Sequence, residues 1–166
     1  MKELNLGRIN YHSPYQVIDN GKGNFFFRTD YNVLYRISFS EDYTIWNEGA
    51  YEFGIYNING KPSPNDRKLR DTIFSIIEEF FYCNPQILLY QCETGDNRQS
   101  LRDRLFLRWF NEYKFSRLYY IKVSSIIVEK QVNYAAIIVQ RNNPKLDSII
   151  QDFDNFINFF KEKPVL

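Results

Sequence analysis

Residues 87–115, ILLYQCETGDNRQSLRDRLFLRWFNEYKF, constrain the fold of this chain more than any other stretch. From Ile87 to Cys92 the run is almost continuously apolar. Such a strand must be covered on both faces, which puts it inside a sheet rather than at its edge. After a short polar turn the apolar residues recur at helical spacing, and an amphipathic helix carrying four arginines begins. A strand end therefore faces a helix start, where open α/β sheets usually place ligands.

The rest of the chain supplies partners for that strand. Its 166 residues predict one domain with a core large enough to need no staples. Phe and Tyr number 15 and 13, so the chain as a whole is not a low-aromatic disordered one. The formal net charge of +1 carries no overall signature for nucleic acid or an anionic membrane. Cys83 and Cys92 form no C-x-x-C pair, and two isolated thiols suit a reducing cytosol. The opening MKELNLGRINYHSPY has no apolar core of a signal peptide, and no run reaches membrane-spanning length. His12 is the single histidine, so a zinc site or a Ser-His-Asp triad has little to work with. No metal site is expected.

Read along the chain, residues 1–14 form a loose arm and 15–166 a single α+β domain. A short edge strand is expected at 15–18, followed by the turn Asp19–Gly23. Strands follow at 24–29, 33–40 and 50–58. Val33, Tyr35, Ile37 and Phe39 share one face, with Arg36 and Ser38 on the other. Asn59–Asn65 (NGKPSPN) breaks the chain, and Asn65 or Asp66 caps a helix running to Phe81. Asn84-Pro85 ends that helix. A hairpin is expected at 119–129 and 131–140. Asn143-Pro144 then opens a last helix with the apolar stripe Leu146, Ile149, Ile150, Phe153, Phe156, Ile157 and Phe160. Its polar side carries Asp147, Asp152 and Asp154, so the stripe reads as a docking face for the sheet and not for a membrane. The expected order is β-β-β-α-β-α-β-β-α: a mixed, mostly antiparallel sheet with about three helices.

In the arginine helix, Asp96-x-x-Gln99 has capping-box spacing. Leu101, Leu105 and Trp109 form one stripe, with Phe106, Phe110 and Tyr113 beside it. Arg104 and Arg108 fall on the far side as surface charges, with Glu112 one turn on to pair with Arg108. Arg98 and Arg102 project within the apolar arc, where a guanidinium needs a partner. Glu93, Asp96 and Asp103 can pair with them inside the protein. Alternatively, Arg98, Arg102 and the helix-start amides near Asn97 converge on a phosphate or carboxylate. Cys92 sits at the adjoining strand end, without a histidine to activate it. The candidate ligand-binding set is Cys92, Glu93, Asp96, Asn97, Arg98 and Arg102. Residues 98–117 carry six basic and two acidic side chains among aromatics, but the aromatics face the core. Nucleic-acid binding through Arg104, Arg108, Lys114 and Arg117 is the disfavoured reading.

Two resemblances follow from these residues. YQCETGDNRQSLRDRLFLRWF, preceded by DRKLRDTIFSIIEEFF, resembles a family of small bacterial proteins known only as a domain of unknown function. The order meander, helix, strand, helix, hairpin resembles the later part of the GCN5-related N-acetyltransferase fold, with Asn97 and Phe115 at matching positions. That second resemblance implies acetyl-CoA as cofactor, its pyrophosphate on a glycine-rich turn before the first helix, and a tyrosine acid in the next. Here the turn is NGKPSPNDRKLRDT and Phe110 stands at the tyrosine position. Glu52 is the base if the chain is an acyltransferase. Lys61, Arg67, Lys68 and Arg70 are then the side chains available to replace backbone amides around phosphate. The expectation is a non-catalytic acetyltransferase-like domain, free of cofactor, that binds a protein partner or a small anion.

Overall fold

A computed structural model describes residues 1–91, 99–113, 116–128 and 131–161, and only the backbone of residues 99–104, 128 and 131. The described elements are α1 (Leu6–His12), β1 (Ile18–Asp19), β2 (Asn24–Arg28), β3 (Leu34–Asp42), β4 (Ala50–Asn57), α2 (Arg67–Cys83), β5 (Leu88–Gln91), α3 (Gln99–Glu112), a 3-10 turn (Ser116–Leu118), β6 (Tyr119–Val128), β7 (Gln131–Gln140) and α4 (Leu146–Lys161). The strands form one seven-stranded sheet in the order β1-β2-β3-β4-β5-β7-β6. The fold is α+β, as the residue pattern requires, and β5 lies inside the sheet. The described helices number four, one more than expected, because residues in the supposedly loose arm form α1.

The chain packs as two compact units, residues 1–40 with 53–85 and residues 41–52 with 86–166. In the first, β2 and β3 pair antiparallel through Phe25↔Ile37 and Phe27↔Tyr35. Their turn is closed by Asn32 at φ 62°, a left-handed geometry that asparagine tolerates better than most residues. Alternation puts Phe25, Phe27, Tyr35, Ile37 and Phe39 into the core. The α2 residues Ile73, Ile76, Ile77 and Phe80 recur every three or four positions and are fully buried. Phe39 stacks on Phe80 with centroids 4.9 Å apart and lies 5.4 Å from Phe53. On the opposite face, Arg36 lies 4.4 Å over the Tyr56 ring. That ring lies across Gly54, where a Cβ would collide with it, so glycine makes room for the stack.

In the second unit, β5 pairs with β7 antiparallel and β7 with β6 along ten residues. Tyr51 N–H donates to Ile87 O at 2.9 Å. One face of this part, with Leu89, Ala135, Ile137 and Val139, packs against Ile149, Phe153 and Ile157 of α4. Trp46 and Ala50 complete that cluster. On the other face, Tyr90 stacks on Phe106 of α3 at 4.7 Å, and Phe110 lies 6.2 Å from Tyr119. Phe106, Phe110 and Tyr113 are the buried stripe of α3, while Leu105 and Trp109 are only half-buried. The rotation is about one residue from the expected stripe, and it puts the larger aromatic surface inside. Asn143 accepts from Lys145 N–H at 2.9 Å in a turn just ahead of α4, which starts at Leu146 rather than at Pro144.

Candidate functional site

Four buried polar residues of the first unit lie toward the two ends of α2: Asp66 and Thr72 at one, Glu79 and Asn84 at the other. At its start Asp66 is the N-cap, its carboxylate accepting from Lys68 N–H at 2.9 Å. Asp66 is only 8% exposed. The Tyr15 hydroxyl donates to its other oxygen at 2.7 Å and accepts from Asp30 N–H at 3.2 Å. Thr72, one turn into the helix, accepts from Tyr15 N–H at 3.3 Å and from the Ser13 hydroxyl at 3.2 Å. Burial, reinforced by Asp66, pushes the Tyr15 phenol up to about 12. Tyr15 therefore stays protonated and keeps donating across the ordinary pH range.

Two of the four cations expected around phosphate are already engaged, while Lys61 and Arg67 are exposed. Lys68 reaches Asp30 at 2.7 Å and Arg70 reaches Asp71 at 2.9 Å. The hydrogen bond and charge of Asp30 raise the Lys68 ammonium above its ordinary value. Gly60 has a left-handed φ of 63° but lies ahead of the helix start rather than on it. The arrangement is a helix start satisfied by its own carboxylate.

At the other end of α2, Glu79 is buried and accepts from Asn5 N–H at 2.9 Å, from Arg8 Nε at 2.9 Å and from Arg8 Nη2 at 2.7 Å. The Cys83 thiol also donates to it, at 3.2 Å. Burial alone would raise the Glu79 carboxyl, but the Arg8, Asn5 and Cys83 hydrogen bonds outweigh it and hold the carboxyl below its ordinary value. The same burial, with Glu79 beside it, pushes the Cys83 thiol up, away from a reactive thiolate. Asn84 closes the helix and accepts from Lys2 N–H at 2.8 Å.

Residues 65–155, more than half of the chain, match a family of unknown function, DUF6169. The chain belongs to the DUF6169 family. No curated protein matches it, and no solved structure does. The DUF6169 segment begins beside the Asp66 cap and runs through α2, β5, α3 and the β6–β7 hairpin into α4. Asp66, Thr72, Glu79 and Cys83 lie inside it. Tyr15, Arg8 and Asn5, which complete the two clusters, lie before it.

Of the residues expected to form a site, Cys92, Glu93, Asp96, Asn97 and Arg98 lie outside the described residues, as does the side chain of Arg102. Arg102 itself falls within α3. Glu52 is half-buried in β4. Phe110 is buried against Tyr119 as a hydrocarbon packing residue. Arg108 and Arg117 are exposed. Among the described residues no three side chains of metal-binding type converge, and no helix is long and apolar enough to cross a membrane. Sequence reading offered Asn65 or Asp66 as the cap, and the cap is Asp66. It missed Tyr15 and Glu79, whose partners are distant in sequence.

Proposed function

We propose that this DUF6169 member is an acetyltransferase-like binding domain that has no acyl-transfer chemistry and takes a protein partner or a small anion. The element order supports the acetyltransferase likeness: β2–β4 precede a helix, a strand, a helix and a closing hairpin. Fold and chemistry are separable, and the chemistry has to be argued from the site.

The observation that carries the non-catalytic reading is the Asp66 carboxylate. A pyrophosphate bound at the start of α2 would need free amides and a positive helix end. Asp66 already occupies the Lys68 amide and places a negative charge there, with Tyr15 locking its other oxygen. Lys68 and Arg70, two of the four side chains available to substitute, are paired with carboxylates. Phe110 offers no proton where the resemblance implies an acid. Cys83 is a free thiol, which supports residence in a reducing compartment such as the cytosol. The candidate anion set remains Cys92, Glu93, Asp96, Asn97, Arg98 and Arg102, with Arg98 and Arg102 as its cations.

Thermal melting with acetyl-CoA, free coenzyme A and inorganic phosphate tests this reading. Neither acetyl-CoA nor coenzyme A is expected to raise Tm, and phosphate should raise it only while Arg98 and Arg102 are intact. An increase in Tm with acetyl-CoA, together with acetylation of an amine acceptor, would overturn it.

A further inference from the structure

The sheet ends differently at its two edges. At one end β1 is two residues long, Ile18 and Asp19, and Asp19 folds into a turn by accepting from Gly21 N–H. That is a short, charged edge of the kind that resists pairing with another chain. At the other end lies β6, ten residues long, with sequence YYIKVSSIIV. It pairs residue for residue with β7, so no bulge twists it away, and it contains no proline. Its one charge, Lys122, is tied to Asp154 of α4 at 2.6 Å. Among the described residues no strand lies beyond it.

The register identifies which backbone groups face outward. Arg141 N–H donates to Leu118 O at 2.9 Å, which makes Leu118 and Arg141 a hydrogen-bonded pair. Alternation then turns the amides and carbonyls of even-numbered β6 residues toward β7 and those of odd-numbered residues away from it. Ile121, Val123, Ser125 and Ile127 thus present their N–H and C=O groups at the open edge. Ile127 is also 61% exposed, and its cross-strand partner Val132 is 44% exposed.

We propose that β6 is a self-association edge, which pairs antiparallel with β6 of a second copy about a two-fold axis through Ser124. A two-fold axis normal to the sheet pairs residues of the same parity, so outward-facing odd residues meet outward-facing odd residues. Ile121 then lies opposite the partner's Ile127, and Val123 opposite the partner's Ser125. This register covers the exposed Ile127 and extends the apolar ladder from Val132. It also keeps the two Lys122 ammonium groups four positions apart, each beside its own Asp154, so no like charges oppose one another. A second copy is the one partner sure to carry a strand complementary to this one at both ends. The inference does not depend on the acetyl-CoA question: a dimer that binds acetyl-CoA keeps it and loses only the preceding reading.

Two variants of the full chain test it. Ser124 on the axis is a non-hydrogen-bonded pair with itself, with Cα atoms about 4.5 Å apart, within the range a disulfide spans. Mild oxidation of Ser124→Cys should give a covalent dimer whose cross-linked peptide contains residue 124 from both copies. Ser125→Cys, displaced from the axis, should not cross-link through residue 125. In sedimentation velocity the wild type should be a dimer, and Ile127→Lys a monomer with unchanged far-ultraviolet circular dichroism. A wild type that stays monomeric at every concentration would overturn the proposal. So would a dimer that survives Ile127→Lys while Ser124→Cys fails to cross-link. If Ile127→Lys does not fold, the cross-link at residue 124 decides alone.

Discussion

One carboxylate, Glu79, gathers the Asn5 amide, two nitrogens of Arg8 and the Cys83 thiol. It has to be ionised to accept all of them. Because its folded carboxyl titrates below the unfolded value, its stabilisation is fully present above that value, about 4.3. It is lost as pH falls through the lower, folded value. Glu79→Gln should therefore be less stable than the wild type at neutral pH, and urea midpoints of the two should converge as the solution is acidified. A gap that stays constant into acid would show that ionisation is not what matters. Tyr15 behaves in the opposite sense: its high phenol value keeps the Asp66 hydrogen bond intact well into alkali. Neither cluster was legible in the sequence. Arg8 and Glu79 are 71 positions apart, and Tyr15 and Asp66 are 51 apart. No local spacing announces such pairs, whereas Asp66 as a cap depends only on its neighbours.

At the scale of elements, legibility followed local pattern. The alternation of Tyr35, Ile37 and Phe39 marks β3, and the stripe Leu69, Ile73, Ile76 and Phe80 marks α2, because in both a single face carries the apolar residues. The helix α1 left no such mark, since LGRINYH buries only Ile9 and takes the rest of its support from elsewhere. The orientation of α3 was half legible: its apolar arc is wide, and sequence alone does not say whether Trp109 or Phe110 goes deepest. The expected ligand set lies outside the described residues, apart from the backbone of Arg102 in α3. In α4 the stripe is unambiguous, and it predicts a contrast. Phe153 is fully buried among Ile137, Leu89 and Val139, so Phe153→Ala should cost about 3–5 kcal/mol. Phe159 is exposed on the same helix, and Phe159→Ala should stay within about 0.5 kcal/mol. Chemical denaturation of the two variants measures the difference, and equal losses would mean the helix docks by another face.

At the scale of the molecule, seven strands are ordered so that sequence neighbours mostly pair, with β5 reaching β7 before β6. Much of this arrangement is local, but some is not: Lys145 reaches Glu48, 97 positions away, and α1 also depends on distant partners. Its Asn5 and Arg8 hold Glu79, and Lys2 holds Asn84, 82 positions away. Deleting residues 1–12 should lower the urea midpoint through loss of buried Leu4 and Ile9, each worth at most about 3 kcal/mol before the cost of ordering the segment. An unchanged midpoint would show that α1 is an ornament on α2. A seven-residue helix is too short to persist alone in water. A chain leaves the ribosome in sequence order, so α1 is made before α2 and finished after it. The Arg8 partner Glu79 lies 71 positions on, so α1 can close over α2 only after the end of that helix has left the exit tunnel.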